Sequence, residues 1–102
     1  MKINEDIVNI IKLAASKHPS ILKMGIFGSY ARGDATEDSD IDILYDYDDT
    51  MIHDMMDCLG DILDHIDKKI DFIAYYLLDE FDAEFRDSIL NDVVWIYKQS
   101  ST

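Results

Sequence analysis

The chain has 102 residues, enough for one domain with a single core and a thin stability margin. Hydrophobic residues make up 48% of it, which suits a folded globule, and no apolar run is long enough to span a bilayer. Its 22 acids against 9 Lys and Arg leave a formal net charge of -13, which weighs against binding polymeric DNA or RNA but permits a basic protein partner.

The first residues, Met1 to Asp6, carry acids and lack the apolar stretch of a signal peptide, so a cytoplasmic protein is expected. Ile3, Ile7, Ile10, Ile11 and Ala14 recur at helical spacing. Asn4 can cap that helix, and Lys17, His18 and Pro19 end it. Ile21 to Phe27 is a short apolar run and reads as a strand. Gly28 through Gly33 reads as a turn into a brief helix that Gly33 stops, and Asp40 to Tyr47 alternates acids with apolar residues as a second strand.

Met51 to Ile66 is the clearest helix. Ile52, Met55, Met56, Leu59, Ile62, Leu63 and Ile66 are its expected buried stripe, with Asp54, Asp57, Asp61 and Asp64 facing water. Cys58, the only cysteine, falls on the apolar side and reads as a buried, inert thiol; one cysteine allows no internal disulfide. Ile70 to Tyr76 is rich in β-formers and reads as a third strand. Asp79 is the expected cap of a last helix holding Phe81, Phe85, Ile89 and Leu90, followed by a strand from Val93 to Tyr97. The fold class is therefore α/β (α+β): a mixed β-sheet with helices packed on it, residues 1–102 forming one domain and 98–102 a frayed tail.

The chemistry concentrates in Gly28-Ser29-Tyr30-Ala31-Arg32-Gly33-Asp34 and in Ser39-Asp40-Ile41-Asp42. A strand running into Gly28 can turn sharply and let a ligand come close. The Ser29 hydroxyl and the N–H groups that follow it then make a phosphate site, although most Gly-Ser pairs are ordinary turns. Asp40 and Asp42 stand two apart on the predicted strand, so both carboxylates point to one face. Such a pair repels unless a cation sits between, and Mg²⁺ suits it because it prefers carboxylate, phosphate and water oxygens. A solvent-facing acidic strand is the competing reading. Asp71 can add a third carboxylate if its strand neighbours that of Asp40; otherwise it pairs with Lys68 or Lys69. Three acids around two metal ions fit phosphoryl or nucleotidyl transfer.

Gly28-Ser29, ten further residues and Asp40-Ile41-Asp42 form a string similar to the signature of the DNA polymerase β-like nucleotidyltransferase superfamily. The fuller string, with Ala31-Arg32-Gly33-Asp34, the strand at Ile70-Asp71-Phe72 and the ending Val93-Val94-Trp95-Ile96-Tyr97, resembles its minimal nucleotidyltransferase (MNT) branch over nearly the whole chain. The resemblance implies that Gly28 and Ser29 hold the triphosphate of ATP. It makes Asp40, Asp42 and Asp71 ligands of Mg²⁺, two ions in all, with Asp71 as general base or second-metal ligand. It leaves Arg32 either touching phosphate or bridging to Asp34 or Asp38. It further implies an antitoxin that transfers AMP to a tyrosine of a HEPN-domain ribonuclease toxin. Two other readings stand beside it: a nucleotidyltransferase for small molecules such as antibiotics, and a non-catalytic module that neutralises a toxin by occlusion. The scattered histidines His18, His53 and His65 read as exposed or capping, and Asp46-Tyr47-Asp48-Asp49 as an acidic turn.

Overall fold

The computed structural model describes residues 4–100. In chain order the elements are α1 (Glu5–Ser16), β1 (Ile21–Phe27), α2 (Ser29–Arg32), β2 (Ile41–Tyr47), α3 (Ile52–His65), β3 (Ile70–Ala74), a 3-10 turn (Tyr75–Glu80), α4 (Ala83–Asp92) and β4 (Val94–Lys98). The strands form one mixed sheet in the order β3-β2-β1-β4. β1 runs antiparallel to both β2 and β4, while β2 and β3 are parallel. A parallel pair needs a crossover, and α3 supplies it.

Strand alternation divides the sheet into two faces. On one, Met24, Ile26, Ile41 and Ile43 are fully buried with Ile11, Cys58 and Ile62 beneath α1 and α3. Each large aliphatic side chain buried this way contributes about 1.5–3 kcal/mol. The other face has a smaller cluster, Phe27, Leu44, Leu78 and Ile89, built by α4 and the 3-10 turn. Asp42 shares that second face with Leu44, which places the acids beside the partly covered side of the sheet.

Asn4 caps α1 as its sequence suggests, its Oδ1 accepting from the N–H groups of Asp6 (2.9 Å) and Ile7 (3.3 Å). Ile3, expected in the same stripe, lies outside the described residues. On α3 the buried set is narrower than expected. Met55, Cys58 and Ile62 are inside, but Ile52, Met56 and Leu63 are 48%, 58% and 49% exposed. The apolar stripe spans two adjacent ridges of the helix, and α1 and the sheet cover only one. Asp54, expected in water, instead accepts hydrogen bonds from the Ser20 N–H and from His18 Nδ1, both at 2.9 Å, and so ties α3 to the α1–β1 turn.

The third strand stops at Ala74, and Tyr75 and Tyr76 begin the 3-10 turn. The cap of α4 is Asp82 rather than Asp79; its Oδ1 accepts from Phe85 N–H at 2.8 Å, which leaves Phe81 ahead of the helix. At the other end, Lys98 pairs in β4 and Gln99 N–H donates to Leu22 O at 2.8 Å, so the strand outruns its expected limit at Tyr97. Among the described residues no helix is long and apolar enough to cross a membrane.

Candidate active site

β1 delivers the chain to Gly28, whose φ of 73° and ψ of -149° lie in a region open almost only to glycine. A Cβ here would run into Asp42 Oδ2 and stand 3.3 Å from Asp42 Cγ. The glycine thus makes the turn and leaves room for the carboxylate beside it. α2 follows as a single turn of four residues, too short for an appreciable helix dipole. Its contribution is the set of N–H groups at its start, which have no partners within the helix. Gly33, with φ of 85°, closes it in the left-handed conformation as expected.

The acids come together unevenly. Asp42 and Asp71 are register partners across the parallel β2–β3 pair, so they lie on neighbouring strands and the same face. Asp42 is half-buried and Asp71 exposed. Burial, then Asp71, then Asp40 push the Asp42 carboxyl above its ordinary pKa, with Arg32 pulling the other way. Asp40 sits one residue ahead of β2 rather than on it, and its Oδ2 lies 3.6 Å from Lys69 Nζ. The lysine expected to compete for Asp71 therefore pairs with Asp40, while Lys68 Nζ donates to Glu37 O at 3.0 Å. Among the described residues no three acidic, histidine or cysteine side chains are gathered tightly enough to hold a metal ion as they stand. Asp42 and Asp71 supply the hard oxygen donors that a divalent cation takes, and the Asp42 carboxyl is raised first by burial and then by the negative charge of Asp71 and Asp40 beside it.

Arg32 is half-exposed and makes two ion pairs, Nε to Asp34 Oδ2 at 3.4 Å and Nη1 to Asp92 Oδ2 at 2.8 Å. Asp34 was an expected partner; Asp92 was not. It belongs to α4, which forms the far wall of a cleft of about 310 Å³. Phe27, Gly28, Ser29, Arg32 and Asp42 line one side of that cleft, and Phe85, Ser88, Ile89 and Asp92 line the other. Sequence reasoning missed this wall, because Arg32 and Asp92 are 60 positions apart and no local spacing links them.

A glycine turn beside a strand acid, with a second acid on the adjacent parallel strand, is the arrangement of a phosphate-transferring enzyme that works on a nucleotide. The family described as "Polymerase beta, Nucleotidyltransferase" matches residues 9–102. The chain belongs to that family and is a nucleotidyltransferase. The MJ0435 protein of Methanocaldococcus jannaschii, provisionally named a protein adenylyltransferase, is 33% identical over 95 residues, covering 92% of this chain and 97% of its relative. The protein adenylyltransferase MntA of Thermococcus cleftensis is 42% identical over 45 residues, 44% of this chain and 46% of MntA. A solved toxin–antitoxin structure with AMP-PNP has the same fold: TM-score 0.67 at 19% identity, covering 91% of this chain and 74% of the other.

Proposed function

We propose that the chain transfers AMP from ATP to a hydroxyl of a partner protein, a tyrosine of a HEPN-domain ribonuclease toxin, and acts as that toxin's antitoxin. The observation that carries this reading is Asp42, half-buried beside the Gly28 turn with Asp71 opposite it on the parallel strand. The protein-adenylyltransferase names of the relatives and the toxin–antitoxin neighbour support the choice of acceptor.

Gly28 and Ser29 hold the triphosphate, and Arg32 reaches it by exchanging a carboxylate for a phosphate oxygen. Asp42 and Asp71, with Asp40, which now pairs with Lys69, would hold Mg²⁺. Bound there, Mg²⁺ supplies positive charge against the triphosphate and the leaving group. The acceptor oxygen forms a bond to the α-phosphorus, the bond to the β-phosphate oxygen breaks, and pyrophosphate leaves. Asp71, exposed where Asp40 and Asp42 are partly covered, takes the hydroxyl proton.

The test is the intact mass of a HEPN-domain partner after incubation with this chain, ATP and Mg²⁺, beside an Asp40→Ala/Asp42→Ala control. A gain of one or more AMP units, lost in the control, is the expected result. A stable complex without added mass would replace this reading with a non-catalytic antitoxin. Labelling of an antibiotic-type small molecule instead of the protein would redirect it to the other alternative.

A further inference from the structure

We propose that Phe85 is the platform on which the nucleobase stacks, which makes the α4 wall of the cleft the base-recognition side of the site. The inference rests on the nucleotide reading above. Its starting point is the sheet order. Asp71 is on β3, Asp42 on β2, and Gly28 follows β1, so the acids and the glycine turn lie in sequence across the sheet. Asp71 does not line the cleft, whereas Asp42, Gly28 and Ser29 do. An acceptor hydroxyl that gives its proton to Asp71 therefore enters from the β3 side. The nucleotide, with its phosphates at Gly28 and Ser29, has the opposite wall left for its base, and that wall is α4.

The α4 wall offers phosphate no cation. Asp92 is its one charged residue in the cleft lining, and Arg86, the only cation on the helix, does not line the cleft. The base is the uncharged end of the nucleotide, and the only aromatic that α4 offers it is Phe85. Single exposed apolar residues are common on protein surfaces, so the 44% exposure of Phe85 alone means little. Its support means more. The ring packs edge-to-face on Phe81, with centroids 5.1 Å apart, and Phe81 is anchored on the cluster of Phe27, Leu44, Leu78 and Ile89. Its N–H donates to the Asp82 cap at 2.8 Å, and its carbonyl accepts from Ser88 Oγ at 2.7 Å. A ring packed against Phe81, on a backbone fixed by these bonds and lining a cleft, loses little further freedom when a base stacks on it.

The test compares two probes, MgATP and Mg²⁺ with inorganic tripolyphosphate, by calorimetric titration of the whole chain. Tripolyphosphate reports the phosphate subsite alone. Phe85→Ala is expected to weaken MgATP roughly 5- to 100-fold, the range of one base–aromatic stack, and to leave tripolyphosphate unchanged. Phe85→Leu, which keeps apolar bulk on the helix, should lose the same binding, and Phe85→Trp should restore it. Equal losses for both probes would overturn the platform, since Phe85 would then only shape the cleft. So would unchanged ATP binding with a raised KM for the protein acceptor, which would assign the ring to the acceptor instead. If wild type binds tripolyphosphate but gains nothing from the nucleoside, the platform falls while the phosphate site stands. If it binds neither probe, the nucleotide reading falls and takes the platform with it.

Discussion

Replacing Gly28 with alanine tests the geometry of the site at its tightest point. The backbone there, φ 73° and ψ -149°, costs a residue with a side chain about 1–3 kcal/mol. The added Cβ would also collide with Asp42 Oδ2, and turning that carboxylate off its rotamer costs about 0.5–1.5 kcal/mol more. The sum, about 1.5–4.5 kcal/mol, is a large share of the stability of a small domain and corresponds to a fall in Tm of roughly 5–35 °C. Activity should fall further than stability, because the displaced group is the acid beside Asp71. The assay is thermal and urea unfolding in parallel with AMP transfer, measured well below the variant's Tm. Gly60→Ala is the control: nothing lies within 4 Å of its Cβ position on α3, so it should gain about 0.5–1 kcal/mol and keep full activity. A Gly28→Ala protein that melts like wild type and still transfers AMP would refute the reasoning.

Two further predictions concern carboxylates. Asp42→Asn should raise Tm at neutral pH while abolishing transfer. A carboxyl whose folded pKa is raised destabilises the native state above that pKa, and the gain should vanish in acid below the ordinary Asp pKa of about 3.9. MgATP should then raise the Tm of wild type and not of the variant. Asp54→Ala should cost about 1–2 kcal/mol at neutral pH by urea unfolding, through loss of the hydrogen bonds from Ser20 and His18. The Ser20 side chain first, then His18 and the Ser20 N–H, hold the Asp54 carboxyl below its ordinary pKa. Its stabilisation is thus complete above about pH 4, and the gap between the two proteins should close as pH falls through the lowered value. A gap that widens in acid would contradict the assignment.

The parts of the fold legible in the sequence were those set by local spacing. β1 begins and ends at Ile21 and Phe27 as read, because a compact apolar run between Pro19 and Gly28 leaves no alternative. Gly28, Ser29 and Asp42 stand close in sequence, and the antiparallel β1–β2 pair brings Phe27 opposite Asp42 in space. What escaped reading depended on partners far along the chain. Asp54 looked like one more solvent-facing acid on α3, yet the α1–β1 turn claims it. Asp79 and Asp82 are both plausible caps, and the 3-10 turn that decides between them has no periodic signature. Asp40 fits the alternation of β2 but precedes it, where Lys69 is within reach because β3 runs alongside.

The two faces of the sheet divide stability from chemistry. The face under α1 and α3 is filled by aliphatic side chains with almost no exposure, and it can hold the strands in register without help from the site. The opposite face carries Asp42, and only a small cluster covers it. That face tolerates a half-buried acid because the register is already set from behind; a one-residue slip of β2 would send Ile41 and Ile43 out of the core. The same register places Asp71 beside Asp42, so the core that excludes water on one side also positions the carboxylates on the other. Core substitutions such as Ile43→Ala therefore act on the site through strand register as well as through stability, and the Asp42–Asp71 pairing is where the two effects meet.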